Sequence, residues 1–189
     1  MISVRMLAAT AALVFAVLPA AAADEVMEAI DQARKAYQAG DLGEAKQSLD
    51  LASQLIGQKN AEGFAALLPA PLSGWKAEDA QTTAIGANVF GASTATRTYQ
   101  NAKGDNVDVT ITGDNAMIMQ YATLLNNPAI AGAMGKIIRV SNMRAIQTRE
   151  GDVHTVVANK FLVTVTGSAD ASAKMSYAQA VNYDKLSKM

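Results

Sequence analysis

Apolar residues recur with a helical period over residues 24–57. The first stripe is made of Val26, Ile30, Ala33 and Tyr37. Gly40-Asp41 then interrupts the pattern, because glycine commonly ends a helix in the left-handed region and aspartate commonly caps the next one. The second stripe is made of Leu42, Ala45, Leu49, Ala52 and Ile56, and Gly57 follows it. The pattern predicts an antiparallel helical hairpin whose second helix ends at Gly57.

The spacing of small residues in this hairpin is similar to that of a tetratricopeptide unit. The matching positions are Ala33, Ala36-Tyr37, Gly40-Asp41, Ala45, Leu49 and Ala52. In that family, small residues let two helices approach closely, and stacked units bind peptides on a concave surface. The resemblance is confined to residues 26–56, occurs in one copy, and has Gly57 near the place of the family's closing proline. The alternative is a hairpin that packs on the main domain or mediates self-association.

The sequence predicts a linker over residues 58–74, which contains Pro69-Ala70-Pro71. After this linker, apolar residues recur at every second position, which is typical of β-strands. Residues 94–99 and 107–112 alternate and flank a turn cluster, so they predict a β-hairpin with Val107, Val109 and Ile111 facing the core. Further predicted strands start at Trp75 and cover 137–140, 145–148, 153–158 and 160–166, with Ala158-Asn159 as the turn of the last hairpin.

Two helical segments complete the chain, a broken one over 115–134 and a final one over 171–187. Strands in hairpins with helices between them predict an α+β domain over residues 75–189, with a largely antiparallel sheet covered by two helices. In element order alone, this arrangement resembles the small exported α/β sandwiches of the PsbP and Mog1 type.

Residues 115–135 contain no charged side chain, which is unusual outside the amino-terminal apolar run. One interpretation is a buried helix that covers the sheet. The other is an apolar surface or groove that meets a partner, a lipid or another subunit. The residues that would form such a surface are Met117, Tyr121, Leu124, Leu125, Ile130 and Met134.

The first 23 residues have the order of a cleavable secretory signal. Arg5 precedes an apolar run that ends at Pro19, and four alanines follow before Asp24. The apolar run is short for a membrane span, which needs about 20 residues, so we expect no membrane span after cleavage. The pattern predicts export to the periplasm, with full secretion as the alternative.

Composition excludes several classes of function. The chain has no cysteine, which rules out disulfides and thiolate metal sites. Its net charge of −1 becomes −2 over residues 24–189, because the signal segment contains one arginine and no acidic residue. A near-neutral chain without a basic run lacks the electrostatic footprint of a nucleic-acid-binding protein, and we expect no nucleic-acid partner.

Candidate chemistry is sparse. His154, the one histidine, lies in a predicted strand beside Asp152, without the glycine-rich nucleophile turn of many hydrolases. Thioethers can hold copper(I), but Met117 and Met119 would point about 200° apart on a helix. We therefore expect no cofactor, and no catalytic or metal-ligating residue is assigned. The sequence favours a non-catalytic module that contacts another protein, or itself, through the hairpin. The alternatives are a small-molecule or lipid carrier with a pocket between the sheet and helix 115–134, and an enzyme centred on His154.

Overall fold

The computed structural model describes residues 24–84, 92–113, 118–119, 122–123 and 127–189. Its helices are α1 Glu25–Gln38, α2 Leu42–Ala65, α3 Pro128–Met134, α4 Ala171–Ala180 and α5 Tyr183–Leu186. Its strands are β1 Trp75–Ala77, β2 Gln81–Thr83, β3 Ser93–Asn101, β4 Asn106–Gly113, β5 Lys136–Val140, β6 Met143–Gln147, β7 Val153–Val157 and β8 Phe161–Thr166. An amino-terminal helical hairpin followed by a sheet and helices confirms the predicted α+β class.

The eight strands form one sheet in the order β1-β3-β4-β8-β7-β6-β5, and β2 pairs with β3 beside β1. Every pairing is antiparallel. The predicted alternation holds, since Val107, Val109 and Ile111 are fully buried. Three residues connect β7 to β8, since Val157 pairs with Phe161. The Lys160 amide donates to the Val157 carbonyl at 3.0 Å, and Ala158 and Asn159 at the centre of this turn both have positive φ.

One face of the sheet, the covered face, carries the main core. The carboxyl-terminal part of α2, together with α4 and α5, packs on it through Phe64, Tyr177 and Leu186. The opposite face, the outer face, carries one transverse row of residues in register: Thr96, Thr110, Thr164, His154, Ile146 and Ile137. Helix α3 covers part of the outer face, where Ala131 packs against Ile146.

The predicted end of the second helix at Gly57 is wrong, because α2 continues for eight further residues to Ala65. A glycine inside a helix costs about 1 kcal/mol relative to alanine. Packing offsets this cost: Gly57 and Phe64 are buried against the sheet, and the Ser93 hydroxyl donates to the Gly57 carbonyl at 3.1 Å. This hydrogen bond ties the helix backbone at Gly57 to β3.

The chain that follows α2 is held against the sheet by aromatic side chains. The Tyr99 hydroxyl donates to the Pro69 carbonyl at 2.6 Å, and the Leu72 amide donates to the Tyr177 hydroxyl at 3.2 Å. The Tyr99 and Tyr177 rings lie 4.3 Å apart, and Trp75 meets Tyr177 edge-on at 5.4 Å. Burial raises the pKa of Tyr99 to about 12, so its hydroxyl remains a protonated donor at neutral pH.

The last helical segment is also divided. The predicted helix over 171–187 stops at Ala180, and α5 begins after Val181 and Asn182. The Asn182 side chain accepts from the Lys185 amide at 3.0 Å and caps the new helix, while the Tyr183 hydroxyl donates to the Ala178 carbonyl at 2.8 Å. These two hydrogen bonds stabilise the break between α4 and α5, which the spacing of apolar residues alone does not reveal.

Candidate functional site

The two helices of the hairpin pack against each other through small side chains. Asp24 and Asp41 cap the helices by accepting from the Val26 and Glu44 amides, and Gly40 turns the chain at φ 82°. The buried residues of the contact are Ala29, Ala33 and Ala36 on α1, and Ala45, Ser48 and Ala52 on α2. Small residues let the helix axes approach closely. Apart from the buried Val26, the larger apolar residues of α1, and most of those in the first half of α2, are left exposed.

Five larger apolar residues form an exposed surface on this hairpin, which we call the apolar hairpin face. Its members are Ile30, Tyr37, Leu42, Leu49 and Ile56. Within each helix they recur every seven residues, so they lie along one line. On both helices this line is about 50 to 90° from the buried alanine row, and since the helices are antiparallel, the two lines lie on the same side of the hairpin.

The exposure of this face is large for apolar side chains. Tyr37 is 69% exposed, Leu42 67% and Leu49 56%. The two apolar stripes predicted from the sequence contained both these large residues and the alanines. Sequence reasoning missed that the alanines form a buried row and the large residues a separate, exposed row. The large residues Leu42, Leu49 and Ile56 and the small residues Ala45 and Ala52 each recur every seven residues, offset by three, and this separation by size was the signal that could have revealed it.

The hairpin is attached to the sheet through the second half of α2. Phe64 meets Phe161 of β8 edge-on at 5.5 Å, and Ala61 is buried beside it. Helix α1 packs along α2. The face is therefore presented by a helix pair whose longer helix is anchored in the main core.

The surface suggested by the uncharged segment 115–135 is described only in part. Met117, Tyr121, Leu124 and Leu125 lie outside the described residues. Ile130 is 38% exposed on α3, whereas Met134 packs against the cluster of Ala131 and Ile146. Ile130 and Met134 are four residues apart and therefore lie on the same side of α3, where Met134 is the more buried of the two. Because the other four residues are outside the described part of the chain, the structure does not bring the six together as one described surface.

His154 lies on the outer face of β7, and its neighbours in register are Thr164 on β8 and Ile146 on β6. Burial lowers its pKa below the ordinary value of 6.5, and the nearby Asp152 carboxylate partly opposes this shift. Asp152 itself is engaged by the Lys174 ammonium group at 2.6 Å. The carboxylate nearest to His154 in sequence is therefore already paired with a buried lysine.

The lowered pKa of His154 gives a pH-dependent stability. Between the folded value and 6.5, the unfolded chain binds more protons, so stability is present above pH 6.5 and is lost as the pH falls through the folded pKa. We expect the free energy of unfolding of the native protein to fall more steeply below pH 6.5 than that of His154→Gln. Urea unfolding at several pH values between 8 and 5 measures both slopes, and parallel curves would contradict the assignment.

Metal-binding geometry is absent from the described part of the chain, where no three His, Asp or Glu side chains group around one point. Methionine sulfurs are the other potential soft metal ligands in the chain. Met119 is 65% exposed, Met134 belongs to the cluster on the outer face, and Met143 and Met175 pack against the main core. Met117 lies outside the described residues.

A groove of about 500 Å³ lies between the β5–β6 turn and the α4–α5 junction. Ser141 and Asn142 line one side of it, and Asn182 and Asp184 line the other. Ser141 has φ 53°, a conformation that a non-glycine residue adopts only at some cost. The groove is open and mostly polar, and none of its lining residues belongs to the segment 115–134.

No described helix is both long and apolar enough to cross a bilayer. The element order and the antiparallel sheet are those of an α+β protein that carries an amino-terminal helical hairpin. Comparisons with protein-family models, curated proteins and solved structures give no match to this chain. Function therefore has to be inferred from the surfaces themselves.

Proposed function

We propose that this protein is an exported, non-catalytic interaction module that binds a partner protein through the apolar hairpin face. The observation that carries the proposal is the concentration of exposed large apolar residues on the hairpin. Among the described residues, seven of the eleven such side chains lie in α1 and α2. Soluble proteins rarely leave contiguous apolar patches exposed without a use for them.

The geometry of the face favours a helical partner. Two lines of apolar side chains, one on each helix, run along the same side of the hairpin. An amphipathic helix binds such a surface with residues spaced three, four and seven apart. Tyr37 is a natural anchor, because tyrosine combines a large apolar area with few rotatable bonds and is enriched at binding hot spots.

The small-residue packing of the hairpin supports the same proposal. It is the feature on which the tetratricopeptide resemblance rests, and that family uses paired helices to bind peptides. The segment 1–23 adds a location to the proposal, since its signal pattern directs the module to the periplasm or the medium. The partner is then another exported protein or a second copy.

Site-specific photocrosslinking tests the proposal in cells that export the protein. A benzophenone amino acid replaces Tyr37 in one variant and Gln32 in the control. Both positions are exposed on α1, but they lie about 140° apart around the helix. We expect a discrete protein adduct from position 37 and none from position 32, and mass spectrometry should map the adduct to an amphipathic helix of the partner.

Leu49→Gln provides the matched loss of function. Leu49 is 56% exposed, so its replacement should change the free energy of unfolding by less than about 0.5 kcal/mol while removing the adduct at position 37. Equal adducts from positions 32 and 37, or an adduct that survives Leu49→Gln, would refute the proposal.

A further inference from the structure

Strand β5 ends the sheet, and its outer edge is available for pairing within the described structure. The β5–β6 turn contains two residues, so Val140 and Met143 exchange both backbone hydrogen bonds. Antiparallel pairs alternate between bonded and non-bonded. The N–H and C=O groups of Ile137 and Arg139 therefore point away from β6, toward the edge.

The side chains at this edge have an unusual charge arrangement. Arg139 of β5 lies directly opposite Arg144 of β6, and both are exposed. They form a non-bonded pair, the closer of the two kinds, in which like charges destabilise the sheet. Lys136 adds a third positive charge to the same short strand.

None of these three cations takes part in an ion pair within the described part of the chain. The ion pairs there, at 4.0 Å or less, involve Arg34, Lys46, Lys59 and Lys174. Charged side chains on an edge strand, here Lys136 and Arg139, protect a sheet edge from aggregation. Protection of the edge does not account for the second arginine, which lies inside the sheet on β6.

We infer that the β5 edge binds an acidic, extended peptide segment by adding it to the sheet as a ninth strand. Its backbone would pair with Ile137 and Arg139, and a carboxylate on the outer face beside Arg139 would neutralise the facing arginines. Two residues along, on the same face, an aliphatic side chain would lie beside Ile137, which is 41% exposed. The recognised pattern is thus an acidic and an aliphatic residue separated by one position. This surface is distinct from the apolar hairpin face, and the inference does not depend on the proposed function.

The test uses the isotope-labelled exported protein and a defined probe, acetyl-Thr-Glu-Thr-Val-Thr-Glu-Thr-Val-amide. NMR titration to 2 mM peptide should shift the amide signals of Ile137 and Arg139. The same peptide with glutamine in place of both glutamates should bind at least tenfold more weakly. A third peptide, N-methylated at alternate residues on its pairing edge, should not bind, since it keeps the charges and lacks the donors.

Arg139→Glu separates binding from folding. The variant places a glutamate opposite Arg144 and turns the like-charge pair into an opposite-charge pair, so it should unfold at a higher temperature than the native protein. We expect it to lose at least tenfold in affinity for the acidic probe. Arg149→Glu, which makes the same charge change at an exposed turn residue outside the edge, should retain affinity within about twofold.

Three results would overturn the inference. The β5 amides could remain unshifted at 2 mM acidic peptide. The glutamate and glutamine peptides could bind equally, which would mean that the arginines do not select the ligand. The β5 amide signals could instead shift with protein concentration in the absence of peptide, which would identify a second copy as the occupant of the edge.

Discussion

Replacing Asp152 with alanine is expected to lower the free energy of unfolding by about 3 kcal/mol. Its carboxylate lies 2.6 Å from the Lys174 ammonium group, whose side chain is 3% exposed. Lys174 also donates to the Glu150 carbonyl at 2.9 Å, which satisfies one of its donors but does not balance its charge. Removal of Asp152 would leave a buried cation without a counter-ion, and urea unfolding followed by the fluorescence of Trp75 measures the loss.

The chain provides a matched control in a second ion pair of the same length. Lys46 and Asp50 are also 2.6 Å apart, but their side chains are 76% and 61% exposed. Exposed pairs of this spacing on a helix contribute about 0.3 to 0.5 kcal/mol, so Asp50→Ala should have a correspondingly small effect. Equal losses from Asp152→Ala and Asp50→Ala would mean that burial of Lys174 does not determine the energetics.

The two ends of the buried pair should also respond unequally. Lys174→Met keeps most of the buried aliphatic length and leaves Asp152, which is 26% exposed and can regain water. Its cost should therefore be smaller than that of Asp152→Ala. A larger loss for Lys174→Met would show that the lysine contributes mainly by packing α4 against the turn before β7.

The sequence predicted those elements well in which buried and exposed residues alternate with a regular period. Strand β4 alternates strictly, and its inward residues Val107, Val109 and Ile111 are all fully buried. The turns and caps were equally accessible, because Gly40, Asp41 and Ala158-Asn159 act through local backbone geometry. Strand β2, with three residues and no apolar alternation, was not predicted.

Features that depend on tertiary contacts were not accessible in the same way. The local sequence at Gly57 is typical of a helix end, but packing against β3 keeps this residue inside the helix. The final helix was broken by a cap and a tyrosine hydrogen bond rather than by a loss of apolar period. In both places a long-range or side-chain contact overrode the local signal.

The candidate surfaces illustrate the same limit. Leu49 and Ala52 belong to one apolar stripe in the sequence, yet Ala52 is buried against α1 and Leu49 is exposed. The arginines at the β5 edge are five residues apart and have no evident relation until the register places Arg139 opposite Arg144. A surface formed by what a helix leaves uncovered, or by strand register, requires the three-dimensional arrangement.

Gly167→Ala is expected to lower the free energy of unfolding by about 3 to 4 kcal/mol, because strain and overlap act together. Gly167 has φ 126°, a conformation that alanine rarely adopts. A Cβ at this position would overlap the Asn106 backbone carbonyl and lie 3.0 Å from the Val107 Cα. Both obstacles are backbone atoms of β4, held in place because the Ala169 amide donates to the same Asn106 carbonyl at 3.0 Å.

Two other glycines separate these contributions. Gly104 has φ 89° with open space around it, so Gly104→Ala should cost only the strain, about 1 kcal/mol. Gly132 lies inside α3, also with open space, and Gly132→Ala should stabilise the protein by about 0.5 to 1 kcal/mol. Chemical denaturation of the three variants should therefore rank them Gly132→Ala, Gly104→Ala, Gly167→Ala in decreasing stability. If Gly167→Ala were no worse than Gly104→Ala, the β4 backbone would have to yield at Asn106, and the turn after β8 would not be fixed to that strand as tightly as the Asn106 hydrogen bonds indicate.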